Sequence, residues 1–469
     1  MSKLTRGIRR LLRPFKKNTG TLPRRIKASG LNFNHQAISA NAIKVVRRLQ
    51  EHGYEAYLVG GCIRDLLIGQ TPKDFDVVTS AHPDQINKIF RNCRLIGRRF
   101  RLAHIYFSGE IIEVATFRAG TVTQKTEANN EHSHRKTENG QIIRDNIYGT
   151  LADDVWRRDF TINALYYDPI GNVILDYVDG LNDIQNSNIR MIGDPEQRYQ
   201  EDPVRMLRAV RFACKLAFNI EQHTAAPITE LAKLIEAVPA ARLFEETNKL
   251  FLSGYAEQTL RQLRHYHLFA RLYPSIHAVL AAGHEPHAER LLNSAMQDTD
   301  KRVAQNKPVT PAYLLAVFLW YPLKVREYEL INNNIPPYKA FHQACHEIIS
   351  AQLRSIAVPK RLLATTKDIW LMQPRFEHRQ GKRPLRLLEQ PKFRAAYDFL
   401  YLRARSGEPV QELAEWWNHF QQADDNQQQK LISTKGEGTG RHLQRKRRRR
   451  RKPTDKDKQQ VTVKKDSSL

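Results

Sequence analysis

Two groups of residues within one short stretch have the types and spacing for chemistry on phosphates. Tyr57-Leu-Val-Gly60-Gly61 is an apolar run that ends in paired glycines, and Cys62-Ile-Arg64-Asp65 continues it as the start of a helix. Glycine has no Cβ, so its backbone can approach a ligand closely. A turn entering a helix also offers free N–H groups to an anion such as phosphate. Just downstream, Asp74-Phe75-Asp76-Val-Val places two acids at i and i+2. On a strand those side chains share one face. Two carboxylates on one face, with no base between them, repel unless a cation joins them. A hard cation that takes oxygen ligands and also holds phosphates is magnesium. Glu113, inside the apolar Ile111-Ile112-Glu113-Val114, is a third candidate ligand. A lone carboxylate there is costly unless it binds metal or pairs in a buried salt bridge. A Gly-Gly alone is often only a turn, and an Asp-x-Asp alone is as often a solvated strand edge. In this order and this close together they point to phosphoryl or nucleotidyl transfer with two Mg²⁺.

Further motifs follow in order: Arg157-Arg158-Asp159-Phe160-Thr161-Ile162-Asn163-Ala164, then Glu201-Asp202-Pro203-Val204-Arg205-Met206-Leu207-Arg208. With Gly60-Gly61-x-x-Arg64-Asp65 and Asp74-Phe75-Asp76, they resemble the ordered motifs of template-independent nucleotidyltransferases. That family includes the tRNA CCA-adding enzymes and the bacterial poly(A) polymerases. The resemblance spans Tyr57 to Phe212 and continues more loosely to about Phe420, toward the poly(A) polymerase subgroup. It implies ATP as substrate and a catalytic role for Asp159 beside Asp74 and Asp76. It implies that Gly60, Gly61, Arg64, Asp65, Arg157 and Arg208 serve the nucleotide, and that Asp202 and Arg205 read the base edge. Read from the residues alone, Asp202-Pro203 is an ordinary helix start, with aspartate as N-cap and proline at N1. Arg157, Arg158 and Asp159 alone would pass for a surface ion pair. The Gly97-Arg98-Arg99-Phe100-x-Leu-x-His104 stretch also resembles the poly(A) polymerase subgroup.

These residues need a framework. Ser39 is expected to cap a helix whose Ala42, Val45, Val46 and Leu49 face inward, with Gly53 at its end. Tyr57–Val59 and Phe75–Thr79 read as core strands, with helices at 63–68 and 83–90. The run from Leu95 to Arg118 is patterned as a hairpin around Ser108-Gly109. Residues 119–142 read as a polar mobile loop, in which His132 and His134 are solvated rather than metal ligands. Leu165–Tyr167 and Val173–Tyr177 flank a turn at 168–172, and Ile189–Ile192 is a last short strand. From Asp194 the pattern is helical, with examples at 239–252, 256–267, 311–320 and 391–405. Phe212 and Phe218 read as core. The expected fold is an α/β head with a small mixed palm-like sheet, then an all-α neck and body. The expected divisions are a basic disordered arm at 1–30, a head at 31–190, a neck at 191–270, a body at 271–425 and a basic disordered tail at 426–469.

The charge is placed at the ends. Of a net +26, residues 1–30 carry ten Lys/Arg and no acid, and residues 435–469 carry fourteen Lys/Arg against four acids. Such tails favour polyanions, nucleic acid before anionic membrane. The Ile8–Pro14 stretch is only weakly amphipathic, so a peripheral membrane contact is the lesser expectation. Basic clusters at Lys360-Arg361, 375–379 and 382–386 would suit an RNA-binding face, although any one alone reads as solvated. Four scattered cysteines with no C-x-x-C pair suggest neither zinc nor a disulfide framework, and fit a reducing cytoplasm. No apolar run approaches a membrane span.

The expected reaction is transfer of AMP from ATP to RNA 3′ ends, in RNA processing or decay, with decay or helicase proteins as possible partners. A CCA-adding enzyme shares every head motif. An RNA-binding or chaperone protein would explain the charged tails but would not need the carboxylates.

Overall fold

The computed structural model of the chain describes residues 22–97, 101–119 and 147–433. The expectations for the arm up to residue 21, for Arg98–Phe100, for the polar loop with His132 and His134, and for the tail from 434 fall outside the described residues; residues 426–433, expected in the disordered tail, instead belong to the helix Asp425–Ser433, with Gln428 buried.

One mixed sheet of eight strands forms the head. Its members are β1 (Arg24–Lys27), β2 (Ala56–Val59), β3 (Asp76–Thr79), β4 (Cys93–Ile96), β5 (Leu102–Phe107), β6 (Glu110–Thr116), β7 (Leu165–Asp168) and β8 (Val173–Asp176), in the order β1-β8-β7-β2-β3-β6-β5-β4. Only β3 and β6 run parallel; the other neighbours are antiparallel. Alternation along each strand splits the apolar residues between two faces. On one face Leu58, Val77, Ile105, Ile112 and Val114 join the large core. The 40–51 helix packs there through Ala42, Val45, Val46 and Leu49, with Ser39 accepting from the Ala42 N–H. On the other face Val59, Val78, Tyr166 and Leu175 meet Leu151 and Val155 of the 151–157 helix.

The basic arm does not extend to residue 30. Arg24–Lys27 pairs with β8, and the Ala28 N–H donates to the Asn172 carbonyl at 3.1 Å. The stretch Arg-Arg-Ile-Lys carries one apolar residue, too few for a period of two to show. A second, two-stranded parallel sheet joins β9 (Asn188–Ile189) to β10 (Asn219–Ile220), tying the head to the helix at 204–216.

The remainder is helical. The core of the head runs on without a break into these helices, where Phe251, Phe269, Tyr273 and Phe318 pack edge-on or tilted. A separate cluster around Phe376, Phe393, Trp417 and Phe420 closes the C-terminal end. The helix expected at 311–320 extends to Asn332 with Pro322 inside it. Among the described residues no helix is long and apolar enough to cross a membrane.

Candidate active site

Register, not proximity in sequence, assembles the acids. Val59 on β2, Asp76 on β3, Glu113 on β6 and His104 on β5 stand in one row across the sheet. Asp76 and Glu113 are therefore direct neighbours on one face. His104 Nε2 lies 3.3 Å from Glu113 Oε2. Glu113 is 43% exposed, so burial is not what its neighbours relieve. Asp74 lies just before the β3 ladder, but the alternation already holds: Asp74 and Asp76 face out while Phe75 is buried. Asp76 is reached by water yet crowded by protein at the floor of a cleft. Burial, Glu113 and Asp74 push its carboxyl up to about 6, against the pull of Arg158. The cleft has a volume of about 370 Å³, and Val59, Leu102, Arg118, Arg157 and Arg158 join the two acids in lining it.

The glycine turn closes one side. Gly60 has φ +82, a conformation that side-chain-bearing residues rarely adopt, and caps the 61–67 helix. A Cβ on Gly60 would stand 3.5 Å from Arg158 Nη1 and 3.9 Å from the Asn163 carbonyl. Arg64 does not reach into the cleft. It is 3% exposed, donates to Asp65 Oδ1 through Nε and Nη2, and donates to Asn163 Oδ1 at 2.6 Å. It braces the turn from behind, and Asp65 anchors it.

The motif assigned Arg157 to the nucleotide; its neighbour Arg158 lines the same cleft. Arg158 Nε donates to Asp154 Oδ2 at 3.1 Å and to the Tyr166 hydroxyl at 2.8 Å, and Nη1 donates to the Asn163 carbonyl. The Tyr166 hydroxyl in turn donates to Asp154. Burial would raise the Asp154 carboxyl, but Arg158 and Arg157 hold it below the usual range. Asp154 and Tyr166 went unnoticed in the sequence. The i, i+4 spacing of Asp154 and Arg158 on a helix was the available signal.

Asp159 is not part of the acid row. Its Oδ1 accepts from its neighbour Phe160 N–H at 2.8 Å and from Asn163 Nδ2 at 3.4 Å, and its Oδ2 accepts from Arg208 Nε. Burial would raise its carboxyl, yet Arg208 and the Phe160 N–H bring it down to about 2. Arg64, Arg208 and Arg211 stand over the ring of Phe212 at 5.3, 5.2 and 4.7 Å, so this core phenylalanine is also a platform for guanidinium groups.

Asp202 and Arg205 each have another partner. Asp202 ends the 195–201 helix and precedes Pro203, which takes the N-cap position of the 204–216 helix in place of the expected aspartate; its Oδ1 accepts from the Val204 N–H at 3.2 Å. Its two oxygens also accept from Arg242 at 2.9 and 2.7 Å, a bidentate pair. Arg205 donates to Glu201 and to the Arg198 carbonyl. Arg198 donates to the carbonyls of Arg157 and Arg158, which couples this end to the cleft.

A glycine turn, an acid row on a mixed sheet and arginines around one cleft, followed by a helical body, define a nucleotidyltransferase. Three family models match the chain: poly A polymerase head domain over residues 56–190, probable RNA and SrmB-binding site of polymerase A over 217–280, and polymerase A arginine-rich C-terminus over 333–453. Poly(A) polymerase I of Salmonella typhimurium is 48% identical over 407 residues, covering 86% of each chain. Poly(A) polymerase I of Haemophilus influenzae is 46% identical over 412 residues, covering 87% of this chain and 90% of its own. The chain belongs to the bacterial poly(A) polymerase I family, and it is an enzyme that adds nucleotides to RNA 3′ ends.

A CCA-adding enzyme of Lactobacillus helveticus is 35% identical over only 220 residues, 47% of this chain. Among solved structures, the Bacillus stearothermophilus CCA-adding enzyme in complex with CTP aligns at TM-score 0.54 and 25% identity, covering 81% of this chain and 80% of its own. The Thermotoga maritima CCA-adding enzyme complexed with tRNA aligns at 0.57 and 17% identity, covering 86% and 87%, and shows the shared fold.

Proposed function

We propose that the chain transfers AMP from ATP to an RNA 3′-hydroxyl. The 3′-oxygen bonds to the α-phosphorus, the bond to the bridging oxygen breaks, pyrophosphate leaves, and the hydroxyl proton passes to solvent. The observation that carries this reading is the cross-sheet row. Asp76 sits beside Glu113 and near Asp74 with its carboxyl raised by burial and by their charge, so a cation there would relieve the repulsion. Among the described residues, no three His, Cys, Asp or Glu side chains form a ready metal cage. Mg²⁺ takes one or two carboxylates and completes its octahedron with water and substrate phosphates. Asp74 and Asp76, helped by Glu113, would hold two ions. When bound, the ions supply acidification of the attacking hydroxyl and charge stabilisation on the leaving group.

The remaining roles belong to the chain's own side chains. The Gly60-Gly61 turn, Arg158 and Arg157 surround the position proposed for the triphosphate, with Arg64 and Asp65 holding the turn. Asp159 acts as a positioning residue that orients Arg208 and Asn163. Asp202, held by Arg242, and Arg205 face the base. A carboxylate gripped in two bonds cannot swing to suit a second base, which favours one nucleotide, adenine. The head at 31–190, now extended back to Arg24, carries the chemistry, and the helical neck at 191–270 and body at 271–425 hold RNA. A protein contact fits residues 217–280, which match the RNA and SrmB-binding model.

The test offers unstructured RNA and tRNA, with each nucleotide separately. Long ATP-dependent tails on both RNAs, with weak CTP use, support the reading. CTP addition confined to tRNA ends, followed by a single A, would replace it with CCA addition.

A further inference from the structure

A second cleft lies far along the chain from the acid row, in the helical body. It has a volume of about 660 Å³, within the range of small-ligand sites. Its back wall is finished. Glu408 accepts from Trp320 Nε1 at 3.1 Å, from the Tyr321 hydroxyl at 2.9 Å, and from Arg403 Nε and Nη2 at 2.9 and 2.7 Å. Arg403 also donates to Gln373 Oε1 at 2.9 Å and stands 4.6 Å above the Trp320 ring. Each strong polar group here has a partner, so the wall is rigid before any ligand arrives.

The rim is unfinished. Tyr338 is 76% exposed, with the His342 ring 4.5 Å from its own, while Phe341 is buried beneath. Pro337, His342, Arg375 and His378 are exposed around it. Among the described residues Arg375 has no ion-pair partner. Within the lining Lys324 pairs with Glu327, Arg403 pairs with Glu408, and Glu377 stands near Arg375 in sequence; beyond the rim, residues 375–386 hold five Lys/Arg against one Glu, with Arg379 paired to Glu412. A large aromatic ring left in water, in the same cleft lining as Arg375, does nothing for the fold. It does suit a flat aromatic ligand tied to a phosphate chain.

We propose that this cleft seats a base of single-stranded RNA upstream of the 3′ end, stacked on Tyr338, with the adjoining phosphates on Arg375 and the 382–386 cations. The proposal rests on the reading of the chain as an RNA 3′-end nucleotidyltransferase. It adds a named stacking residue and a second point of hold, away from the nucleotide site. Stacking tolerates any base, which matches an enzyme whose primers differ in sequence. The exposed Tyr338 ring, Arg375, unpaired among the described residues, and the basic run at 382–386 favour RNA; the apolar Leu371, Val410 and Leu413 in the same lining make a docked protein segment the competing occupant.

The experiment measures binding of a labelled 20-nucleotide oligoadenylate and of a trinucleotide to the full chain. The variants are Tyr338→Ala, Tyr338→Phe and Arg375→Glu, all at exposed positions. Tyr338→Ala and Arg375→Glu should raise the Kd for the 20-mer by roughly tenfold or more. Tyr338→Phe should restore binding, and the trinucleotide, too short to span both sites, should show no such difference. A photoreactive base placed upstream in the 20-mer should crosslink to Tyr338. Unchanged 20-mer affinity in Tyr338→Ala, with crosslinks elsewhere, overturns the proposal and leaves the cleft to a protein partner. Wild-type protein that neither binds nor extends RNA would overturn the underlying catalytic reading instead, a separate result.

Discussion

Asp76 and Asp159 stand in two neighbouring regions whose surroundings drive them in opposite directions. Around Asp76, burial, Glu113 and Asp74 raise the carboxyl to about 6, and Arg158 only partly compensates. Around Asp159, Arg208 and a backbone N–H overcome burial and lower it to about 2. The acid row is left short of positive charge. In the arginine network Asp154, Tyr166, Asn163 and Arg64 are all partnered, while the buried Arg198 Nε and Arg211 Nε have no hydrogen-bond partner among the described residues. Groups that must take up a ligand are held unsatisfied, and groups that must hold still are satisfied by one another.

The sharpest way to break this contrast is to remove the strained acid. Asp76→Ala should lower nucleotide addition by about 1000-fold or more, and Asp74→Ala should behave alike. Neither should lower the melting temperature, because each removes a repelling charge. The pH dependence follows from the sign of the shift. A carboxyl raised in the folded state opposes folding above its folded pKa, and this opposition fades as pH falls through about 6. Going from pH 8 to 5, wild type should therefore gain stability relative to Asp76→Asn; a gap that does not change with pH would refute the strained row. Near wild-type turnover in Asp76→Ala would remove the metal reading.

Asp159→Asn should cost on the order of 100-fold in turnover by loosening Arg208 and Asn163. Here the sign is reversed. A lowered carboxyl stabilises the fold above its unfolded pKa and loses that contribution as pH falls toward about 2. The stability gap between wild type and Asp159→Asn should accordingly be full at pH 7 and close below pH 4. A gap that widens in acid would show that Asp159 is not held by Arg208.

Much of the acid row was legible because its signals are local. A period of two puts Asp74 and Asp76 on one face, and a glycine pair marks the turn. Glu113 was found for the wrong physical reason: its strand is apolar, but its side chain is half in water, and it matters through its register with Asp76. The arginine network was mostly illegible. Arg64 meets Asn163 99 residues away, and Asp202 meets Arg242 40 residues away. Such pairings depend on how helices pack on the sheet, which no spacing reveals. Arg64 was expected at the phosphate through the resemblance to the nucleotidyltransferase motifs. The structure turns it inward, because its side of the helix faces Asn163 and Phe212.

Arg242→Ala sharpens the comparison at the base end. Freed from its bidentate clamp, Asp202 should accept cytosine more readily, so the preference for ATP over CTP should fall about tenfold. Selectivity that stays constant while kcat falls would make Arg242 structural only. The smallest effect is expected from deleting residues 435–469. RNA affinity should weaken, and the slope of its salt dependence should flatten by about 0.7 for each phosphate that the tail neutralises, with turnover on saturating RNA kept. An unchanged slope would assign the tail to some other partner.

The central claim is that the acid row is the place where the ions sit. Counting bound Mn²⁺ by electron paramagnetic resonance, with RNA and a non-reacting ATP analogue present, addresses it most directly. Wild type should bind two ions per chain and Asp76→Ala at most one. An equal count in both proteins, with the analogue still bound, would contradict it.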